Sequence, residues 1–320
     1  ISLILPALTF TEGLPEYKIE HISLEQGVSN NMIFCIYQDS KGFIWFGTMF
    51  GLIRYDGIEY KTFRNDPADP NSISNDDVVS VFEDRDGFLW IGTYFGGMNK
   101  YDRSTGIFTR YIHDPANPNT IGSNTVWKTV QDKEGALWFG TDYAGLCKLE
   151  NGTFTSYKSD SLNAGSIGSN AVYSLLVDSK GVLWAATAGG GLNRYNRQTN
   201  DFTRYKRNRE NPEANSISGN GVRSLYEDSS GIIWVGTLAR GLNRFDQSSG
   251  TFVNYLNNSA DTTNNIQANS IFSINSSFEG NNDELWISTG NGFYRFNQKD
   301  GSYDRFNIYQ NEISGNENIV

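Results

Sequence analysis

The sequence predicts an all-β protein: a β-propeller of six complete four-stranded blades and an incomplete seventh. Three observations carry this. Six of the seven tryptophans (Trp45, Trp90, Trp138, Trp184, Trp234 and Trp286) recur at intervals of 45, 48, 46, 50 and 52 residues, so the chain is an array of one supersecondary unit. Each sits in the same phrase, written Gly87-Phe88-Leu89-Trp90-Ile91-Gly92-Thr93 in the second unit and Gly231-Ile232-Ile233-Trp234-Val235-Gly236-Thr237 in the fifth. The apolar runs between turns are short and rich in β-branched and aromatic residues, with no 3.6-residue periodicity for a helix.

Each unit opens on a polar residue two places before a hydrophobic one: Asn31/Ile33, Asp76/Val78, Asn124/Val126, Asn170/Val172, Asn220/Val222 and Asn269/Ile271. From this column to the tryptophan is 14 residues in five units and 17 in the sixth, whose turn is extended around Gly280-Asn281-Asn282-Asp283. Strand A follows, for example Val172-Tyr173-Ser174-Leu175-Leu176-Val177. An Asp-x-x-Gly turn comes next, in which Asp accepts bonds from amides ahead of it and Gly takes a positive φ. Strand B carries the tryptophan and ends at Gly-Thr, and strand C reads Gly191-Leu192-Asn193-Arg194-Tyr195-Asn196 in the fourth unit. Strand D has aromatics three apart: Tyr60/Phe63, Phe108/Tyr111, Phe154/Tyr157, Phe202/Tyr205, Phe252/Tyr255 and Tyr303/Phe306. A tryptophan present in every copy fills the wedge between neighbouring sheets, whereas a site is built from differences.

A repeat running through most of 320 residues argues for one domain, taken as residues 17–320 and truncated at its C-terminal end. Residues 1–16, with the apolar run Ile1 to Phe10, read as the remnant of a signal peptide or leader, which implies export. At the other end Asn318 restarts the opening column, and no tryptophan strand follows. Tyr17 to Ile22 precedes the first unit as strand D precedes the others, so it is expected to complete that seventh blade, with a gap between the first and sixth units. Net charge is −10, from 26 Lys+Arg against 36 Asp+Glu, which argues against a nucleic-acid partner. Cys35 and Cys147 fall at different places in the repeat and read as separate thiols.

No catalytic, cofactor or metal constellation stands out. His21 and His113 lie in polar segments, and no nucleophile motif is present. Asp84-Arg85-Asp86-Gly87 lacks the third acidic position and the distant glutamate of a calcium loop. Carboxylates occur in every turn, so a carbohydrate-active hydrolase or lyase is the runner-up.

In a four-stranded meander the B-to-C and D-to-A connections share one face, and the A-to-B and C-to-D turns the other. The second face is monotonous and the first varies. Its variable loops supply the candidate contact residues Phe50, Tyr94, Phe95, Tyr143, Arg240 and Asn291. Exposed aromatics suit sugar rings or a partner protein, and Arg240 suits a carboxylate.

The stretch Asn31 to Asp56, with Asp39-Ser40-Lys41-Gly42, the Trp45 strand and Arg54-Tyr55-Asp56, closely resembles the two-component regulator propeller repeat. The likeness runs from about Tyr17 to the end. It departs at Ala186 and Ser288, which replace glycine, and at Leu149-Glu150 for Tyr-Asp. The resemblance implies a periplasmic or otherwise extracytoplasmic sensor of a membrane-anchored bacterial signalling receptor, often a hybrid histidine kinase whose kinase activity lies outside this chain. Its implied partners are an oligosaccharide or other small ligand and the downstream domains of the same receptor. A protein-protein platform that forms a homodimer is the nearest rival.

Overall fold

The computed structural model of the chain describes residues 2–6, 17–21, 32–211, 215–255, 270–277 and 283–306. Strands β1 (Ser2–Pro6) and β2 (Tyr17–His21) form a separate antiparallel pair. Blade 1 comprises β3 (Ile33–Gln38), β4 (Ile44–Thr48), β5 (Gly51–Tyr55) and β6 (Tyr60–Phe63). Blade 2 comprises β7 (Val78–Glu83), β8 (Leu89–Thr93), β9 (Met98–Asp102) and β10 (Ile107–Tyr111). Blade 3 is β11 (Val126–Gln131), β12 (Leu137–Thr141), β13 (Leu146–Glu150) and β14 (Thr153–Tyr157), and blade 4 is β15 (Val172–Val177), β16 (Leu183–Thr187), β17 (Gly191–Asn196) and β18 (Asp201–Tyr205). Blade 5 is β19 (Val222–Glu227), β20 (Ile233–Thr237), β21 (Leu242–Asp246) and β22 (Thr251–Tyr255), and blade 6 is β23 (Ile271–Ser276), β24 (Glu284–Thr289), β25 (Gly292–Asn297) and β26 (Tyr303–Phe306). Every blade is an antiparallel meander in chain order, and the described residues form no helix.

The six first strands stand side by side around the centre, β3 by β7, then β11, β15, β19 and β23. Strands β3 and β23 are not neighbours in this way. Tyr17–His21, expected as the outer strand of a seventh blade, pairs with Ser2–Pro6 and lies outside the sheet of blade 6. The C-terminal segment around Asn318, expected to share its blade, falls outside the described residues, as do residues 280–282 of the sixth turn.

The tryptophans do the packing work expected of them. All six are buried, with at most 3% of their surface exposed. Four meet a strand C aromatic of the following blade: Trp45 with Tyr101 (5.9 Å), Trp138 with Tyr195 (4.9 Å), Trp184 with Phe245 (5.7 Å) and Trp234 with Phe296 (5.4 Å). Such ring pairs contribute about 0.5–1.5 kcal/mol beyond the area they bury. Blade 3 has Leu149 where its sisters have that strand C aromatic, so Trp90 packs at 5.8 Å on Phe139 of strand β12 instead. The three-residue spacing in strand D has a reason. Positions i and i+3 of a strand face opposite sides, so Phe108 packs on Phe63 of the preceding blade while Tyr111 packs on Trp90 of its own.

The Asp-x-x-Gly face is occupied with holding the blades together. Asp84 Oδ1 accepts the amides of Asp86 (3.0 Å) and Phe88 (2.9 Å), and its Oδ2 accepts the Trp90 indole N–H at 2.7 Å. The same aspartate-to-tryptophan bond joins Asp39 to Trp45, Asp132 to Trp138, Asp178 to Trp184 and Asp228 to Trp234. Arginines then tie blades in pairs: Arg103 bonds Asp39 (2.9 Å) and Glu83 (2.7 Å), and Arg197 bonds Asp132 (2.9 Å). Both cysteines are free. Burial pushes the Cys35 thiol up to about 12, and that of Cys147 upward as well.

Candidate functional site

On the opposite face the B-to-C loops are clamped at both ends. The threonine that closes strand B donates to the carbonyl of the glycine that precedes or opens strand C, as in Thr93 to Gly97 (2.9 Å) and Thr141 to Gly145 (2.7 Å). That glycine donates in turn to the opening-column residue of the next blade, Gly97 to Asn124 (2.7 Å) and Gly145 to Asn170 (2.8 Å). Gly145 has φ +76°, and a Cβ there would lie 2.1 Å from the Tyr157 carbonyl, so no other residue fits. Opening-column side chains brace the D-to-A loops: Asn124 Oδ1 accepts the His113 amide at 2.7 Å. His113 Nδ1 bonds the Ile121 carbonyl at 2.8 Å, so this imidazole holds a loop. The side chain of His21 lies outside the described residues.

Between the clamps, two aromatics adopt a backbone that aromatics avoid. Phe95 (φ 70°) and Tyr143 (φ 71°) are left-handed at the place where blade 4 has Gly189 (φ 81°). A side chain in this conformation costs roughly 1–2 kcal/mol, and both are thrust outward, Phe95 at 64% and Tyr143 at 78% exposure. Tyr94 is half-buried and packs on Phe95 with the rings tilted by 53° and their centroids 4.1 Å apart. Burial raises the pKa of Asp142, against bonds from Tyr143. Phe50, Tyr143, Arg240 and Asn291 stand on separate loops; Phe50 is exposed with its amide on Thr48 Oγ1, and the Asn291 carbonyl accepts from Arg305 at 2.8 Å. Arg240 is brought together with Arg207 and Arg209 in a cleft of about 460 Å³, floored by Gly219 and Asn220. Three guanidinium groups there suit carboxylate, sulfate or phosphate oxygens.

The sequence reading missed the mouth of the central channel. Every inner strand carries a β-bulge at its second residue, seen as register shifts at Ile33/Cys35, Val78/Ser80, Val126/Lys128, Val172/Ser174, Val222/Ser224 and Ile271/Ser273. A bulge re-aims a side chain, and the bulged residues Phe34, Val79, Trp127, Tyr173, Arg223 and Phe272 all line one central cavity of about 380 Å³. Arg223 lies over the rings of Trp127 (5.6 Å) and Tyr173 (4.6 Å), and Trp127 meets Tyr94 at 5.7 Å. A continuous aromatic path therefore runs from Phe95 on the rim to the channel. Its signal in the sequence was Trp127, the one tryptophan outside the repeated column. Among the described residues no group of three His, Cys, Asp or Glu is arranged to hold a metal.

Five stretches, residues 27–50, 72–95, 120–143, 166–189 and 216–239, match the family model of the two component regulator propeller. The chain is similar to the solved extracellular domain ascribed to a hybrid two-component system of B. thetaiotaomicron, with 28% identity and a TM-score of 0.74 over 90% of this chain and 36% of that one. It is also similar to another B. thetaiotaomicron extracellular domain, ascribed to a one-component system, with 22% identity and a TM-score of 0.69 over 90% of this chain and 38% of that one. The chain thus spans little more than a third of their length. Virginiamycin B lyase from Staphylococcus aureus shares the fold, at 13% identity and a TM-score of 0.62 over 86% of this chain and 84% of the lyase. A comparison with curated proteins found no match. On the repeat matches and the blade geometry together, five of the six blades carry a two-component regulator propeller repeat.

Proposed function

We propose that this propeller is the extracytoplasmic sensing module of a bacterial two-component receptor, and that it binds its ligand on the B-to-C face without chemically changing it. The observation that carries the reading is the pair Phe95 and Tyr143: aromatic residues kept exposed, in a strained backbone, on loops that are otherwise rigidly clamped. Strain of this kind persists where it serves a site. The likeness to the extracellular domain ascribed to a hybrid two-component system supports the location and the signalling role. Phosphotransfer belongs, in this reading, to other domains of the receptor. Aromatic faces on a rigid rim suit the apolar faces of sugar rings, so oligosaccharides are the ligand class of choice.

Calorimetry of the full chain against an oligosaccharide panel tests this. At least one sugar is expected to bind unaltered, and the Tyr94→Ala/Phe95→Ala/Tyr143→Ala variant is expected to lose that binding at unchanged thermal stability. Sugar cleavage during the titration would make the protein an enzyme. Self-association abolished by the triple variant, with no sugar bound, would make the face a dimerisation platform.

A further inference from the structure

We infer that the mouth of the central channel is a site for an organic anion, a carboxylate or sulfate carried on a ring of sugar size and held by Arg223 and Lys128. The inference rests on the reading of the propeller as a binding module and locates a distinct subsite inside it. Among the described residues the cavity wall includes these two cations and neither aspartate nor glutamate, in a chain of net charge −10. A local reversal of charge against that background costs repulsion between the cations and needs a reason.

Half-buried Arg103 and the more exposed Arg197 are neutralised by the buried carboxylates of Asp39 and Asp132, whereas half-buried Arg54 lies over the Phe43 ring at 4.5 Å. Among the described residues Arg223 and Lys128 make no ion pair. Arg223 is instead held against Trp127 and Tyr173, which fixes the plane of its fork while leaving the charge uncompensated. Burial depresses the pKa of Arg223, as expected where no anion offsets it, while Lys128 is exposed at the cavity wall.

Position 128 is singular as well. The equivalent places in the other five blades hold Cys35, Ser80, Ser174, Ser224 and Ser273. Only blade 3 carries a long cationic side chain there, one residue after the bulged Trp127. The cavity, at about 380 Å³, falls within the size range of small-ligand sites. Aromatic faces of Trp127, Phe34 and Phe272 supply the apolar wall for the ring that carries the anion.

The experiment is calorimetry of the full chain with cellobiouronate and cellobiose, which differ by one carboxylate. Cellobiouronate is expected to bind at least about tenfold more tightly, as a charge-assisted pair in a confined site predicts, and to lose this advantage on raising NaCl from ~50 to ~500 mM. Arg223→Gln and Lys128→Ser should each abolish the preference. Lys128→Ser installs the residue that sister blades carry, so it tests the charge without disturbing the aromatic stack. Equal binding of acid and neutral sugar, no binding of the acid at millimolar concentration, or a preference that survives both variants overturns the inference. Neutral sugar bound through Tyr94, Phe95 and Tyr143 with no preference for the acid leaves the sensing reading standing and sinks only this site.

Discussion

Asp132 shows how much one residue does in this architecture. Its side chain is fully buried; Oδ1 accepts the Ala136 amide (2.8 Å), and Oδ2 accepts both the Trp138 indole (2.8 Å) and Arg197 (2.9 Å). Burial alone would raise its pKa, but the bonds from Trp138 and Arg197 win and hold the carboxyl below the usual carboxylate range. A group whose folded pKa is depressed stabilises the fold above its unfolded pKa, about 4, and loses that contribution as pH falls through the folded value. Asp132→Asn is therefore expected to cost about 2 kcal/mol at pH 7, because an amide faces the indole donor and leaves the arginine with only its exposed Glu134 partner. Below about pH 4 the gap should begin to narrow, and it closes as pH falls through the lowered folded value and the wild-type carboxyl protonates too. Urea unfolding of both proteins at pH 7 and pH 3 measures it; a gap that stays constant would show that the charge contributes nothing.

At the scale of the element, the B-to-C loop trades stability for exposure. Tyr143 and Gly189 occupy the same position with the same handedness, yet only glycine is at ease there. Tyr143→Gly is expected to be more stable than Tyr143→Ala by roughly 1 kcal/mol, because alanine keeps the left-handed penalty and glycine sheds it, even after the added freedom of glycine in the unfolded chain. Chemical denaturation of the pair decides; an alanine variant as stable as glycine would mean that the loop has relaxed and was never strained. Nothing in the letters Asp142-Tyr143-Ala144 reveals that φ. The strands, by contrast, were readable because tryptophan, glycine and threonine recur wherever packing fixes them. The bulges were not, since they exist only in the hydrogen-bond register between β11 and β12 and its five counterparts. Trp127 and Arg223 therefore passed as ordinary strand residues until the pairing turned them into the channel.

At the scale of the whole molecule, the ring order itself can be tested by asking what one repeat position costs in different blades. Val81, Leu175 and Ile274 are equivalent inner-strand residues, each under 10% exposed, and each packs in a core with the tryptophan of the preceding blade: Trp45, Trp138 and Trp234 respectively. Ile36 holds the same position in blade 1 and is 51% exposed, because β3 has no inner strand of a preceding blade beside it among the described residues. Leu175→Ala is thus expected to cost about 2–5 kcal/mol, the usual penalty for emptying a core site. Ile36→Ala should cost less than about 1 kcal/mol, since water already reaches the side chain. The two variants differ in blade and hardly in chemistry, so their difference reports on whether a neighbour is present. If Ile36→Ala proves as costly as Leu175→Ala in urea unfolding, a further unit packs on β3 in solution and the propeller closes with more than six blades.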